Sequence, residues 1–263
     1  MRPGLRLAPL LAGFLLAGCF EGQRLIRVGA DGSGTLVDTL VPGAQMRSMM
    51  AMALAADTDP DKAAAEKAKL EAVAAAMGPG VRFVGEEKTG AGIKTTFAFK
   101  DIRSIEIGVS PGPHGQESPS TAKKEAPLTF RLARQGPNAV LTIVQPRPDR
   151  KEETADLAGA AGFQDMGMAM WNMMKPMMKG LKLETVVEVG GRIVRTSGRY
   201  TEGSRVTLLE MDFDQIAADE ANFKKFGSAG GDPSTLDPAR LQDVKGIKVN
   251  PETEVVVEFT TSP

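Results

Sequence analysis

The chain of 263 residues holds one cysteine, at position 19, and that single thiol constrains the fold more than any other feature. No disulfide can form within the chain, so a folded body must be held by its apolar core alone. The residues ahead of Cys19 are not core material. Arg2 and Arg6 give a basic start, Leu7 to Ala17 is a short apolar run interrupted by Pro9 and Gly13, and Leu16-Ala17-Gly18 leads into the cysteine. The run is shorter than the roughly 20 apolar residues of a spanning helix and has the layout of a secretory signal. The chain beyond Cys19 is long enough for a real core, as one large domain or two small ones.

Leu16-Ala17-Gly18-Cys19 resembles the lipobox of bacterial lipoproteins: an aliphatic residue, two small residues, then the cysteine that is acylated. The resemblance implies cleavage before Cys19, a diacylglyceryl thioether on that residue and an amide-linked third chain where there is an outer membrane. Two or more acyl chains give stable anchoring, where one gives only marginal binding. Residue 20 is Phe, not Asp, and by the same resemblance this favours the outer membrane over retention at the inner one. The expected location is the cell envelope, lipid-anchored on the periplasmic side. Residues 1–18 are then a signal peptide and 19–23 a lipidated tether, whose four residues after the cysteine reach about 14 Å. Loss of Arg2 and Arg6 takes the charge count from 32 basic against 33 acidic to 30 against 33. So near a balance argues against a nucleic-acid partner and against a strongly electrostatic lipid-surface partner.

Arg24 to Val28 and Thr35 to Leu40 read as strands joined across Gly29 to Gly34, which has hairpin-turn chemistry. That stretch lacks the alternating acids of a calcium loop and the Lys-Ser or Lys-Thr pair of a phosphate loop. A methionine-bearing helix is expected from Pro42-Gly43 to about Ala56, and a second from Asp59-Pro60 to Gly78. Residues 81–86, 94–102 and 104–109 read as strands. Pro111, Pro113, Pro119 and Pro127 mark residues 110–127 as a linker or loop, and it carries the only histidine, His114. One histidine excludes a multi-histidine metal site, and a histidine in a segment of this composition is expected to be solvated. Strands come next at 128–134 and 139–144, then a helical region at about 152–179, broken near Gly159 to Gly162. Leu181 to Val189 is a strand, Gly190-Gly191 turns the chain, and Arg192 to Thr196 returns. A further strand is expected at 205–213, a helix at 215–226, a short helix from Asp237-Pro238 and a last strand at 254–259.

The order suggests a β-β-α-β-β duplication, with an N-terminal unit at 24–109 and a C-terminal unit at 128–263. The expected class is α+β: antiparallel sheets, each packed on one face by methionine-rich helices. The strands at 186–194 and 205–213, with Met173-Met174-Lys175-Pro176-Met177-Met178-Lys179-Gly180, resemble a group of uncharacterised bacterial lipoproteins. The resemblance covers most of residues 165–220 and implies a fold family without a reaction.

Eleven of the fourteen methionines fall in residues 46–52 and 166–178. At 100° per residue Met166, Met170, Met173, Met174 and Met177 share one helical face, as do Met46, Met49 and Met50. Three uses fit. The thioethers can fill the space between helix and sheet; they can line a soft groove for an acyl chain or an amphipathic partner; or they can hold copper(I). Pro176 should kink the helix beside Met177. Glu210 and Asp212 could flank a polar site but lack a partner base or a ligand set. The expectation is a non-enzymatic domain without a cofactor. It is held at the membrane by Cys19, and it binds a protein or a hydrophobic ligand through its helix–sheet face.

Overall fold

The computed structural model of the chain describes residues 20–43, 47, 60–89, 92–109, 111, 127–145, 175, 178–228 and 241–261. In chain order the strands are β1 (Phe20–Val28), β2 (Gly34–Pro42), β3 (Arg82–Thr89), β4 (Gly92–Phe99), β5 (Thr129–Gln135) and β6 (Asn138–Val144). They continue as β7 (Lys182–Val189), β8 (Ile193–Thr196), β9 (Thr201–Glu202), β10 (Arg205–Asp212), β11 (Ile247–Val249) and β12 (Glu254–Thr260). The helices are α1 (Pro60–Met77), α2 (Phe213–Ile216) and α3 (Glu220–Ser228), with a 3-10 turn at Ile102–Ser104. This is an α+β fold dominated by antiparallel sheet.

Eight strands form one sheet in the order β11-β10-β7-β1-β2-β4-β3, with β9 on β10, and four form another in the order β5-β6-β12-β8. Among the described strands every pairing is antiparallel except that of β1 with β7. Alternation in the sequence gives each strand two faces. On the large sheet Ile26, Val28, Leu36, Phe97, Phe99, Val187 and Val206 point inward and pack against Phe130, Leu141, Ile143, Val255, Val257 and Phe259 of the small sheet. The outer face is charged, and ion pairs cross it from strand to strand: Arg27 and Arg205 meet Glu188, and Lys182 and Lys248 meet Glu210.

Among the described residues α1 buries only Leu70, Ala74 and Met77, a narrow stripe along a helix otherwise of Ala, Lys and Glu. Its bounds and half-exposed character match the sequence. A second apolar cluster lies at the other end of the same sheet face. There Leu183, Leu209 and Met211 are covered by Phe213 and Ile216 of α2, Phe226 of α3, and Leu241 and Val244.

Several expectations need correction. Residues 20–23, expected as a tether, are the first four positions of β1, paired to β2 from Phe20 onward and to β7 from Glu21. Residues 104–109 are no strand: after the 3-10 turn only a single bridge, Ile107 to Leu128, is formed. Arg192 to Thr196 does not return along β7. A Cβ on Gly191 would stand 2.0 Å from the Thr260 carbonyl oxygen, so the chain passes hard against the end of β12. It then pairs with β12 in the other sheet as β8. The helix expected at 215–226 is two pieces, α2 and α3, joined through Ala217 to Asp219. Because β7 lies beside β1, the larger sheet takes strands from both sides of residues 110–127.

Candidate functional site

Register places one polar row across the inner face of the large sheet. Glu86 lies opposite Thr95, Thr95 opposite Asp38, Asp38 opposite Arg24 and Arg24 opposite Thr185. Directly opposed residues point the same way, so five strands contribute one side chain each. Arg24, Asp38, Thr95 and Thr185 are buried, at 5 %, 7 %, 4 % and 0 % exposure. The row runs between the two apolar clusters.

At its centre the Arg24 guanidinium is bidentate on Asp38, with Nε donating to Oδ1 at 2.8 Å and Nη2 to Oδ2 at 2.7 Å. Nη1 donates to the Gly108 carbonyl at 2.7 Å. Beside it the Thr185 hydroxyl donates to the Val109 carbonyl. These two bonds explain what residues 104–109 do in place of forming a strand. The segment starts under the first hairpin, where the Ile102 N–H donates to the Gly32 carbonyl at 2.8 Å. It descends the inner face of β1 as a strap, and its carbonyls are satisfied by side chains instead of a neighbouring strand. Pro111 lies beyond the row, against the position a Cβ on Gly22 would take, 3.4 Å away.

Chemically the row is closed. All three guanidinium nitrogens have acceptors, and both Asp38 oxygens accept from Arg24. A buried bidentate pair of this kind fixes register more than it adds stability, since desolvation offsets most of the attraction. At the row's outer end Thr95 donates to Glu86, and Lys88 bridges Glu86 to Glu66 of α1. Burial works against the Lys88 charge, but hydrogen bonds to Glu66 and Glu86 outweigh it and raise its pKa above the ordinary value.

Of the residues singled out in the sequence, Cys19, Met166, Met170, Met173, Met174 and Met177 lie outside the described residues, as do Met46, Met49, Met50 and His114. Met178 is described, half-buried at the rim of the second cluster beside Leu181 and Phe20. Glu210 faces outward between Lys182 and Lys248, an ion-pair ladder and not a cleft. Asp212 caps α2, its Oδ1 accepting from the Gln215 N–H at 3.1 Å. Among the described residues no cluster of three or more His, Cys, Asp or Glu could hold a metal ion. No described helix is long and apolar enough to cross a membrane.

Phe20, the first described residue, stands at the lower end of the large sheet. β1, β4, β7 and β11 begin there, and β2, β3 and β10 end there. Phe20 opens β1 opposite Pro42, and its side chain packs against the second cluster. Next to it the chain enters β7 through a tight turn: the Leu181 N–H donates to the Met178 carbonyl, and the Gly180 N–H to Asp214 Oδ1, each at 3.0 Å. Gly180 takes φ +76°, which a glycine adopts without strain.

The polar row had a signal in the sequence. Arg24 is in phase with Ile26 and Val28, and Asp38 with Leu36 and Leu40, so each strand carries one charge on its apolar side. Folding the chain back at Gly29 to Ser33 brings the two opposite one another.

No protein-family model matches the chain. No curated protein matches it either. Among solved structures it is similar to the folded domain of the Mycobacterium tuberculosis LppM protein, determined by NMR. The match covers 94% of this chain and 92% of that one, with 11% identity and a TM-score of 0.31.

Proposed function

We propose that the chain is an envelope lipoprotein, acylated on Cys19, whose folded part is a non-enzymatic binding domain held on the periplasmic side of a membrane. The observation that carries this reading is the lipobox Leu16-Ala17-Gly18-Cys19, behind a basic start and a short apolar run. The ordered body beginning at the very next residue supports it, because a processed lipoprotein needs nothing between its anchor and its fold. The polar row also supports a structural, not a catalytic, use of its charges, since each of its hydrogen-bonding groups on Arg24 is already taken.

The partner in this reading is a protein or a hydrophobic ligand met through the helix–sheet face. A carrier role is the second reading. It is supported by Leu40 and Ile93, which oppose each other on the inner face below the polar row and are only half-buried among the described residues. Outer-membrane placement rests on Phe20 in the lipobox resemblance.

Metabolic labelling with a clickable palmitate analogue tests the anchor in cells. Wild type should carry the label and Cys19→Ser should lose it; label that persists on Cys19→Ser overturns the assignment. For the carrier reading, native mass spectrometry of the extracted protein should show a co-purified apolar ligand. A bare polypeptide mass in every preparation leaves protein binding as the role.

A further inference from the structure

Residue 20 is both the neighbour of the acylated cysteine and the first residue of a strand at the centre of an eight-stranded sheet. Consecutive Cα atoms are about 3.8 Å apart, so an acyl group on residue 19 is tied within one residue of the sheet. Phe20 is fixed twice, by its place opposite Pro42 in β1 and β2 and by packing of its side chain on the second cluster. A long linker would leave the body free to tumble over the membrane; a one-residue link keeps this end of the sheet beside the anchor.

From this we infer that the lower end of the large sheet, bearing Phe20, Met178, Lys179 and Leu181, rests on the phosphate headgroups of the bilayer. The inference depends on acylation of Cys19. Two features of that end suit a lipid surface. Phe20, Met178 and Leu181 are apolar, only half-buried and each packed against the second cluster. Lys179 stands exposed at the tip of the turn, with no ion-pair or hydrogen-bond partner among the described residues. An exposed ammonium beside apolar side chains is the arrangement that reaches into headgroup phosphates, the stem lying along apolar surface and the charge in the polar layer. The opposite end, with the Gly29 to Ser33 turn and the β9–β10 hairpin, then points away from the membrane. It stands off by the length of the strands, about 25 Å for nine residues.

The test uses the full, lipidated protein. Once Cys19 is acylated the chain has no free thiol, so a single introduced cysteine can carry a fluorophore without background. Lys179→Cys and Glu202→Cys place the probe at the two ends, both at exposed positions. The labelled proteins are reconstituted into phosphatidylethanolamine–phosphatidylglycerol vesicles containing a lipid with a nitroxide on its headgroup. Emission at position 179 should fall by about half or more while emission at 202 is nearly unchanged, because the strand between them spans about 20 Å. Equal quenching at both positions, or stronger quenching at 202, overturns the orientation. Intact mass and flotation of the same samples separate the two levels. Acylated protein that floats but is quenched equally refutes only the orientation, whereas protein without acyl mass refutes the anchor and the orientation together.

Discussion

Removing the Asp38 carboxylate should isolate the Arg24 charge in the middle of the sheet. In the wild type the guanidinium makes two bonds of 2.8 and 2.7 Å to Asp38 and one of 2.7 Å to the Gly108 carbonyl. With the pair at 6% and 8% side-chain exposure, water cannot replace the lost partner without opening the inner face. At an effective dielectric of about 20, opposite charges about 4 Å apart attract by about 4 kcal/mol. Stranding one member of a buried pair costs about 3–5 kcal/mol. Asp38→Leu should therefore lower the unfolding free energy by that amount and Tm by roughly 6–20 °C for a domain of this size. The double variant Arg24→Met/Asp38→Leu should recover most of the loss, since desolvation of the pair disappears with the pair. Urea unfolding of the signal-less Cys19→Ser protein, with all four members of the cycle, reads the coupling directly. If Asp38→Leu costs less than about 1 kcal/mol, the guanidinium is reaching water and the row is not dry. A double variant as unstable as the single one would instead show that the strap held through Gly108, and not the charge pair, carries the energy.

Gly34→Ala should cost at least about 1–3 kcal/mol, because the new Cβ would lie 1.9 Å from the Arg27 carbonyl oxygen and 2.6 Å from the Phe99 ring. Gly136→Ala, with open space around it but φ +60°, should cost about 1 kcal/mol in the same urea assay. Asn222 is 4% exposed and fastens α3 to the end of α2 and to Lys245 through both its amide and its carbonyl. Asn222→Ala should cost about 1–3 kcal/mol, with faster hydrogen exchange in the second cluster before the first. Lys88 has its pKa raised above 10.5 in the folded state. Its pairing therefore contributes stability in full below 10.5, and that contribution is lost as pH rises through the folded value. Lys88→Met should flatten the alkaline limb of the urea midpoint against pH; an unchanged limb refutes the assignment.

Local chemistry wrote several elements into the chain. Pro60 and Gly78 bracket α1, the Gly29 to Ser33 turn sets β1 against β2, and alternation of Phe97 and Phe99 with Ala98 and Lys100 gives β4 its buried face. Phe130 to Val144 formed its hairpin across Gln135 to Asn138 for the same reason. Each depends on residues a few positions apart, where turn propensity and period-two patterning suffice. The lipobox, likewise, is a local sequence pattern and owes nothing to the fold.

Pairings between distant segments were not legible in this way. Nothing near Glu21 announces Lys182 as its neighbour, and the parallel pairing of β1 with β7 exists because both carry apolar residues on the same inner face. Gly190-Gly191 signals a turn, but only the end of β12 decides that the chain leaves one sheet for the other. The strand-like pattern of residues 104–109 was overruled because side chains from β1 and β7 take the hydrogen bonds a neighbouring strand would have supplied. Sequence alone thus determined the class and the local hairpins, which are short-range matters. Tertiary structure decided which strands meet and where the buried charges line up, because those depend on burial shared between residues far apart in the chain.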